Sequence, residues 1–219
     1  MTLLGVLAAI EAMDAPCFTT SDLAARLGIT PGHASVSLRR LAAAGHVLRL
    51  RHAVWALPNR VDRLALPECL TAPFPAYVSL QSALYVHGMI SQVPAVTYAV
   101  TLARTRRLTT PLGTVSLHHV QPGFFFGFES QAPSGGRLAT PEKALVDFLY
   151  LTPARSLLFR ALPELALPEA FKPAIARAIV QRISSAPRRA LVSRKLETLL
   201  RARHSKTDLL PFRGHHPKR

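Results

Sequence analysis

The chain has 219 residues, enough for one large or two smaller domains, and at 49% hydrophobic residues it can build a core rather than stay disordered. Lysine and arginine number 27 against 12 acidic residues, a net charge of +15 that points to a polyanionic partner, nucleic acid before membrane. No run of about 18 apolar residues is present to span a bilayer, the N-terminus MTLLGVLAAIEAMDAP lacks the basic start and cleavage site of a signal peptide, and the cysteines Cys17 and Cys69 show neither metal-ligand spacing nor a disulfide framework, so the cytoplasm fits.

Residues 2–13 read as a first helix, with Leu3, Leu4, Leu7, Ala8 and Ile10 on its apolar side and Pro16 ending it. Residues 19–47, TTSDLAARLGITPGHASVSLRRLAAAGHV, then read as two short helices joined by a tight turn. Thr20 or Ser21 is placed to cap the first helix, and Asp22 puts negative charge in its first turn. Leu23, Ala24 and Leu27 share one face, Gly28 supplies a left-handed end, and Ile29 plugs the turn. Thr30 caps the second helix and Pro31 takes its first position, where a missing N–H costs nothing. Ala34, Ser37, Leu38 and Leu41 follow at helical spacing, and Gly45 stops the run. HVLRLRHAVWALP then suggests two short strands through Val47, Leu48, Leu50, Val54, Trp55 and Leu57, with Arg49, Arg51 and His52 at the turn between them. A helix-turn-helix followed by a basic hairpin is the pattern of a winged helix, whose second helix enters the DNA major groove.

PNRVDRLALPECLTAPFPAY, with Pro58, Pro67, Pro73 and Pro75, reads as a linker with at most a short helical turn and a boundary near residue 65. Ser79 then starts a helix holding Leu80, Ala83, Leu84 and Val86, closed by Gly88. VTYAVTLA alternates as a strand, Arg104, Arg106 and Arg107 form a basic turn, and LTTPLGTVSLHHV turns at residues 111–113 into a strand ending at His118 and His119. FFFGF, residues 124–128, is an aromatic patch expected to alternate across a strand and to serve the core. Thr140 caps a further helix, with Pro141 first and Glu142 in its first turn. Residues 155–219 hold fifteen lysines and arginines against four acids, a net of +11. Within them residues 174–183 and 191–203 look helical, and HSKTDLLPFRGHHPKR looks like a loose basic tail. The expected fold is α+β: an N-terminal winged helix-turn-helix over 1–62, a mixed α+β domain over 63–154, and a basic helical region with a tail over 155–219.

SLQSALYVHGMISQVP, then VT and RTRR, TPLGTVSLHHV, FFFGF and LATPEKALVDFLYL, in this order after a winged helix, resemble the AbiEi family, the antitoxins of type IV toxin–antitoxin systems. The resemblance runs over roughly residues 5–155. It implies a winged helix that binds repeats in the operon's own promoter and represses it. It also implies a C-terminal part that counters a nucleotidyltransferase toxin without forming a stable complex with it.

For DNA reading the exposed side of the second helix supplies Pro31, Gly32, His33, Ser35, Val36, Arg39 and Arg40, because Ala34, Leu38 and Leu41 must face inward. His33 and Ser35 can reach base edges, Val36 a thymine methyl, and Arg39 or Arg40 a guanine or a phosphate. Arg49, Arg51 and His52 would sit in the wing against the backbone or minor groove. No cofactor, metal or enzymatic activity is expected. Glu142, Lys143 and Asp147 make no D/E-x-K triplet, and Glu142 reads as a helix-start residue. His87 reads as a helix-end residue. His118 and His119 are neighbours on one strand and point to opposite faces, which suits no single metal. Two other readings stand beside the antitoxin: a transcriptional regulator whose second domain senses a ligand or mediates assembly, and a nucleic-acid-processing enzyme.

Overall fold

The first thirty residues of folded chain are organised by caps. Thr2 caps α1 (Leu3–Glu11) by accepting the N–H of Gly5. Its buried stripe is Val6 and Ile10, while Leu4 is 77% exposed and Leu3 and Ala8 also face solvent, so the apolar side is rotated from the one read off the sequence. The short strand β1 (Cys17–Thr19) follows, and Thr19, rather than Thr20 or Ser21, caps α2 (Thr20–Leu27). Thr19 and Asp22 form a reciprocal capping box, Thr19 Oγ1 accepting the N–H of Asp22 and Asp22 Oδ2 that of Thr19. Thr20 is freed for another role: its hydroxyl accepts the indole N–H of Trp55 at 3.0 Å. Gly28 closes α2 at φ 63°, a left-handed value that favours glycine. Thr30 caps α3 (Pro31–Ala43), with Pro31 in its first turn. Strands β2 (Leu48–Arg51) and β3 (Val54–Ala56) form the hairpin, and β1 adds to β3 in a three-stranded sheet of order β1-β3-β2. Arg49 and Arg51 therefore lie within β2, and the turn itself is His52–Ala53. Val6, Ile10, Leu23, Ala34, Leu38, Leu41, Val47 and Trp55 close one core.

This is a computed structural model, and it describes residues 2–131, 136–151 and 165–207, with side chains to Arg201. Residues 58–75, read as a linker, hold the helix α4 (Leu66–Thr71), in which Leu66, Pro67, Cys69 and Leu70 are buried. The prolines bracket this helix instead of preventing it: Pro67 occupies its first turn, where no N–H is needed, and Pro73 follows its end.

Strands β4 (Ala76–Val78), β5 (Thr97–Thr101), β6 (Arg106–Thr110), β7 (Gly113–His119), β8 (Phe128–Gln131) and β9 (Gly136–Ala139) make a six-stranded mixed sheet, order β6-β7-β5-β4-β9-β8. Arg106 and Arg107 stand in β6 and not in a turn. The sheet separates two cores by simple alternation along its strands. On one face Tyr98, Val100 and Leu138 pack under α5 (Leu80–Val86), α6 (Pro141–Leu151), α7 (Pro173–Gln181) and α8 (Ala186–Thr207). On the other, Ala99, Val115 and Leu117 pack with Leu66, Cys69 and Leu70 of α4 and with Leu50, Val54 and Ala56 of the hairpin. The winged helix and the sheet thus share a core.

Three expectations change here. The aromatic patch is not a strand: Pro122–Phe124 is a 3-10 turn, and only Phe128 enters β8. The helix expected over 191–203 runs from Ala186 to Thr207, so the start of the expected tail, His204–Thr207, is helical; the rest of that tail, with Arg155 and Arg160, lies outside the described residues. Cys17 and Cys69 are joined in a disulfide, contrary to the reading of their spacing. A separation of 52 residues carries no pairing signal; the shared core brings β1 and α4 together. Among the described residues no helix is long and apolar enough to cross a membrane.

Candidate nucleic-acid interface

Helix α3 is two-faced. Ala34, Leu38 and Leu41 are buried, and this inward stripe turns Pro31, Gly32, His33, Val36, Arg39 and Arg40 to solvent, with Ser35 half-buried. Val36 is 39% exposed, an apolar side chain held in water on a cationic helix. The wing stands beside this helix. Between them lies an open cleft of about 420 Å³, lined by Thr20, Ser21, Pro31, Ser35, Arg39, Arg49, His52, Ala53 and Trp55.

Each wall has a local cause. The Thr20 hydroxyl holds the Trp55 indole, and the Thr20 N–H donates to the Ala53 carbonyl at 3.0 Å, so the start of α2 fixes the wing turn. Ala53 has φ 58°, a left-handed value that lets the tight turn reverse the chain. Arg49 lies over the Trp55 ring at 5.8 Å, so its guanidinium is held at the cleft by a cation–π contact. Arg39 reaches back along its own helix to the Ser35 carbonyl at 3.4 Å. The lining carries two arginines and a histidine and no carboxylate, because Asp22 is held by its capping box.

Arg51 is placed elsewhere. Its Nη2 donates to the carbonyl of Ala72 at 3.3 Å, just past the end of α4. Burial, and then the charge of Arg106, hold its pKa below the ordinary arginine value. Arg106 itself donates to the Leu70 carbonyl at 2.9 Å. The two guanidiniums cap the negative end of α4. Of the ten residues expected at the interface, the structure gathers Pro31, Ser35, Arg39, Arg49 and His52 around one cleft. Gly32, His33, Val36 and Arg40 are exposed on the adjoining helix surface, and Arg51 is turned to the junction. Thr20, Ser21 and Trp55 were missed; the T-x-x-D spacing of Thr19 and Asp22 is the signal that would have placed the start of α2 and with it the cleft floor.

The residues weighed for catalysis are engaged in the sheet domain. Lys143 and Asp147 form an ion pair one turn apart on α6, both fully buried. The other carboxylate oxygen of Asp147 accepts the hydroxyls of Tyr77 at 2.9 Å and Ser79 at 2.8 Å. Lys143 also donates to the Phe124 carbonyl at 3.1 Å and lies 3.8 Å from the Phe124 ring centroid. Burial pushes Lys143 down and Asp147 up, each opposed by the partner's charge, and burial beside Asp147 raises Tyr77 well above the ordinary tyrosine value. Glu142 accepts the N–H of Lys172 at 2.8 Å, tying α6 to the start of α7. His87 ends α5 and its Nε2 contacts the Ala139 carbonyl at 2.7 Å. His118 is buried and His119 exposed, on opposite faces of β7. Among the described residues no group of three or more His, Cys, Asp or Glu stands where it could hold a metal.

Residues 6–58 match a family model described as a transcriptional regulator, AbiEi antitoxin. The match runs from within α1 through β3, taking in α2, α3 and the hairpin, and stops short of the sheet domain. No curated protein matches the chain. Over residues 6–58, its winged-helix region, the chain is similar to the AbiEi antitoxin family of transcriptional regulators.

Proposed function

We propose that the chain is a DNA-binding antitoxin: its winged helix represses its own operon by binding repeats in the promoter, and its C-terminal part counters a nucleotidyltransferase toxin without a stable complex. The observation that carries the DNA half is the acid-free cleft between α3 and the wing, where Arg39, Arg49 and His52 converge. Helix α3 supplies base-reading groups, Ser35, His33 and Val36, and the cations supply phosphate contacts. The net charge of +15 adds long-range attraction. Such a protein works where the DNA is, in the cytoplasm. The proposed division is a winged-helix domain over 1–62, an antitoxin-type domain over 63–154 and a basic region over 155–219.

The test is a gel shift with promoter DNA against scrambled competitor across a salt series. Preferential binding that falls steeply with salt supports the reading, since several phosphate contacts release counterions. Equal binding to both DNAs removes the specificity.

A second reading is a regulator without antitoxin activity, whose sheet domain senses a ligand or mediates assembly. It is favoured by the confinement of the family match to residues 6–58. Co-expression with a nucleotidyltransferase toxin separates the two: cells that die despite a promoter-bound protein support the regulator.

A further inference from the structure

The only two cysteines of the chain stand on different structural units and meet. Cys17 opens β1, two residues before the Thr19 cap that starts α2. Cys69 lies inside α4, packed in the shared core at 3% exposure. Helix α4 is bound to the sheet by Arg106, donating to the Leu70 carbonyl, and by the Arg137–Glu68 ion pair at 3.5 Å. It is bound to the winged helix by the disulfide to β1 and by Arg51 of β2, donating to the Ala72 carbonyl. The covalent link is therefore one of two polar or covalent ties described between α4 and the winged helix, and Cys17, half-buried at the edge of the shared core, is its accessible side.

We propose that Cys17–Cys69 is a thiol–disulfide exchange site for low-molecular-weight thiols and their disulfides, and that its state sets how firmly the winged helix is held against α4. A small thiolate attacks the Cys17 sulfur, the Cys17–Cys69 bond breaks, and Cys69 departs as a thiolate that takes up a proton. A second small thiolate attacks the small molecule's sulfur in the mixed disulfide, the bond to Cys17 breaks, Cys17 departs as a thiolate that takes up a proton, and the small-molecule disulfide is released. Two electrons pass from two small thiols to the protein, and the reverse sequence closes the bond. Access favours attack at Cys17, since the Cys69 residue is enclosed.

With the bond open, Arg51 and the apolar contacts of the shared core remain to hold the junction. Those contacts include Arg51 beside a like-charged Arg106. The winged helix then gains freedom about residues 57–65. Because Thr19 caps α2, and Thr20 fixes Trp55 and the wing turn, loosening β1 also loosens the floor of the cleft.

The test uses the full chain equilibrated with oxidised or with reduced glutathione. Alkylation and mass measurement count free thiols, and limited trypsin digestion follows cleavage after Arg60 and Arg63, both exposed in the junction. Exchange predicts no free thiol in the oxidised state and two in the reduced state. Cleavage after Arg63 should be faster in the reduced state by on the order of tenfold, as local opening becomes more populated. Cys17→Ser and Cys69→Ser should each cleave at the reduced rate under both conditions. Two thiols that persist against oxidised glutathione, or equal cleavage in the two states, would overturn the proposal. A gel shift in both states reads the coupling to DNA, with tighter binding expected when oxidised; this arm rests on the DNA-binding reading above. Equal affinity would remove the coupling, and no shift in either state would count against the DNA-binding reading itself, while the exchange site stands or falls on thiol count and cleavage.

Discussion

The two halves of the chain place their charges in opposite ways. The winged helix turns its cations outward: Arg39, Arg40 and Arg49 are exposed, and its core holds apolar groups around one satisfied indole. The sheet domain turns its most ordered charges inward, where Lys143 and Asp147 are fully enclosed by Tyr77, Ser79 and the Phe124 turn. Exposed charge costs folding little and is available to a ligand. Buried charge is costly and survives only when every donor and acceptor is matched. Arg39, Arg40 and Arg49 thus stand free for a partner, Arg51 at the junction being the exception, whereas Lys143 and Asp147 serve the fold.

The largest expected effect breaks the inward set. Asp147→Ala strips the acceptor from Lys143, Tyr77 and Ser79 together, leaving a buried ammonium without its counter-charge and two hydroxyls unmatched. Breaking one side of a buried pair costs about 3–5 kcal/mol, and chemical denaturation should show it as loss of the sheet domain. Lys143→Met leaves the Tyr77 and Ser79 bonds in place and should cost less. Equal costs would mean that the hydroxyls contribute nothing.

A backbone contact gives the next effect. Gly136 opens β9 against the junction, and a Cβ there would stand 2.5 Å from the Leu64 carbonyl carbon. The three nearest atoms, the Leu64 carbonyl carbon and oxygen and the Ala65 nitrogen, are all main chain. Gly136→Ala should destabilise by about 1–3 kcal/mol, as overpacking does, and thermal unfolding measures it. A neutral Gly136→Ala would show that the winged-helix side of the junction shifts freely against β9.

The outward set should behave differently. Arg39→Ala with Arg40→Ala should weaken promoter binding by about 1–3 kcal/mol for each side chain that reaches a base, and less for a phosphate contact. Stability should change by less than about 0.5 kcal/mol, since Leu38 and Leu41 carry the packing. Cells bearing the toxin should lose repression yet remain protected. Ser82→Asp should do the reverse. Ser82 Oγ accepts the Tyr98 N–H at 2.8 Å and donates to the Val96 carbonyl, and a carboxylate cannot make both contacts. If the double arginine variant, expressed from an unrelated promoter and folded, fails to protect, the two activities share a surface.

The same contrast explains what the sequence made legible. Caps, glycine ends and the inward stripe of α3 are local, so Thr30, Pro31, Gly28 and Leu38 could be placed from spacing alone. The position of Thr140 before α6 was legible for the same reason. What failed was non-local. Nothing in RLR distinguishes Arg49, which faces the cleft, from Arg51, which caps a helix whose end at Ala72 lies 21 residues further on. Nothing in the spacing of Cys17 and Cys69 announces that a shared core joins them. The prolines of residues 58–75 signalled a linker because their pattern is the same whether they interrupt a chain or bracket a short buried helix.

The smallest expected effect tests the inward rule at a titratable group. His118 packs against Tyr98, with its Nε2 3.0 Å from the Ser116 hydroxyl, on the sheet face under α5. Burial holds its pKa below the ordinary histidine value of 6.5. The folded state therefore keeps the ring neutral at a pH where the unfolded chain has begun to bind a proton. Proton uptake by the unfolded state alone makes stability rise with pH, so this contribution is fully present above pH 6.5 and is lost as the pH falls from 6.5 toward the depressed folded value. Unfolding free energies of the native chain and of His118→Gln, measured from pH 7.5 down to about pH 5, should converge on acidification, because glutamine cannot take up the proton. A constant difference across that range would mean that His118 charges as readily when folded as when unfolded, and that the sheet face above it admits water.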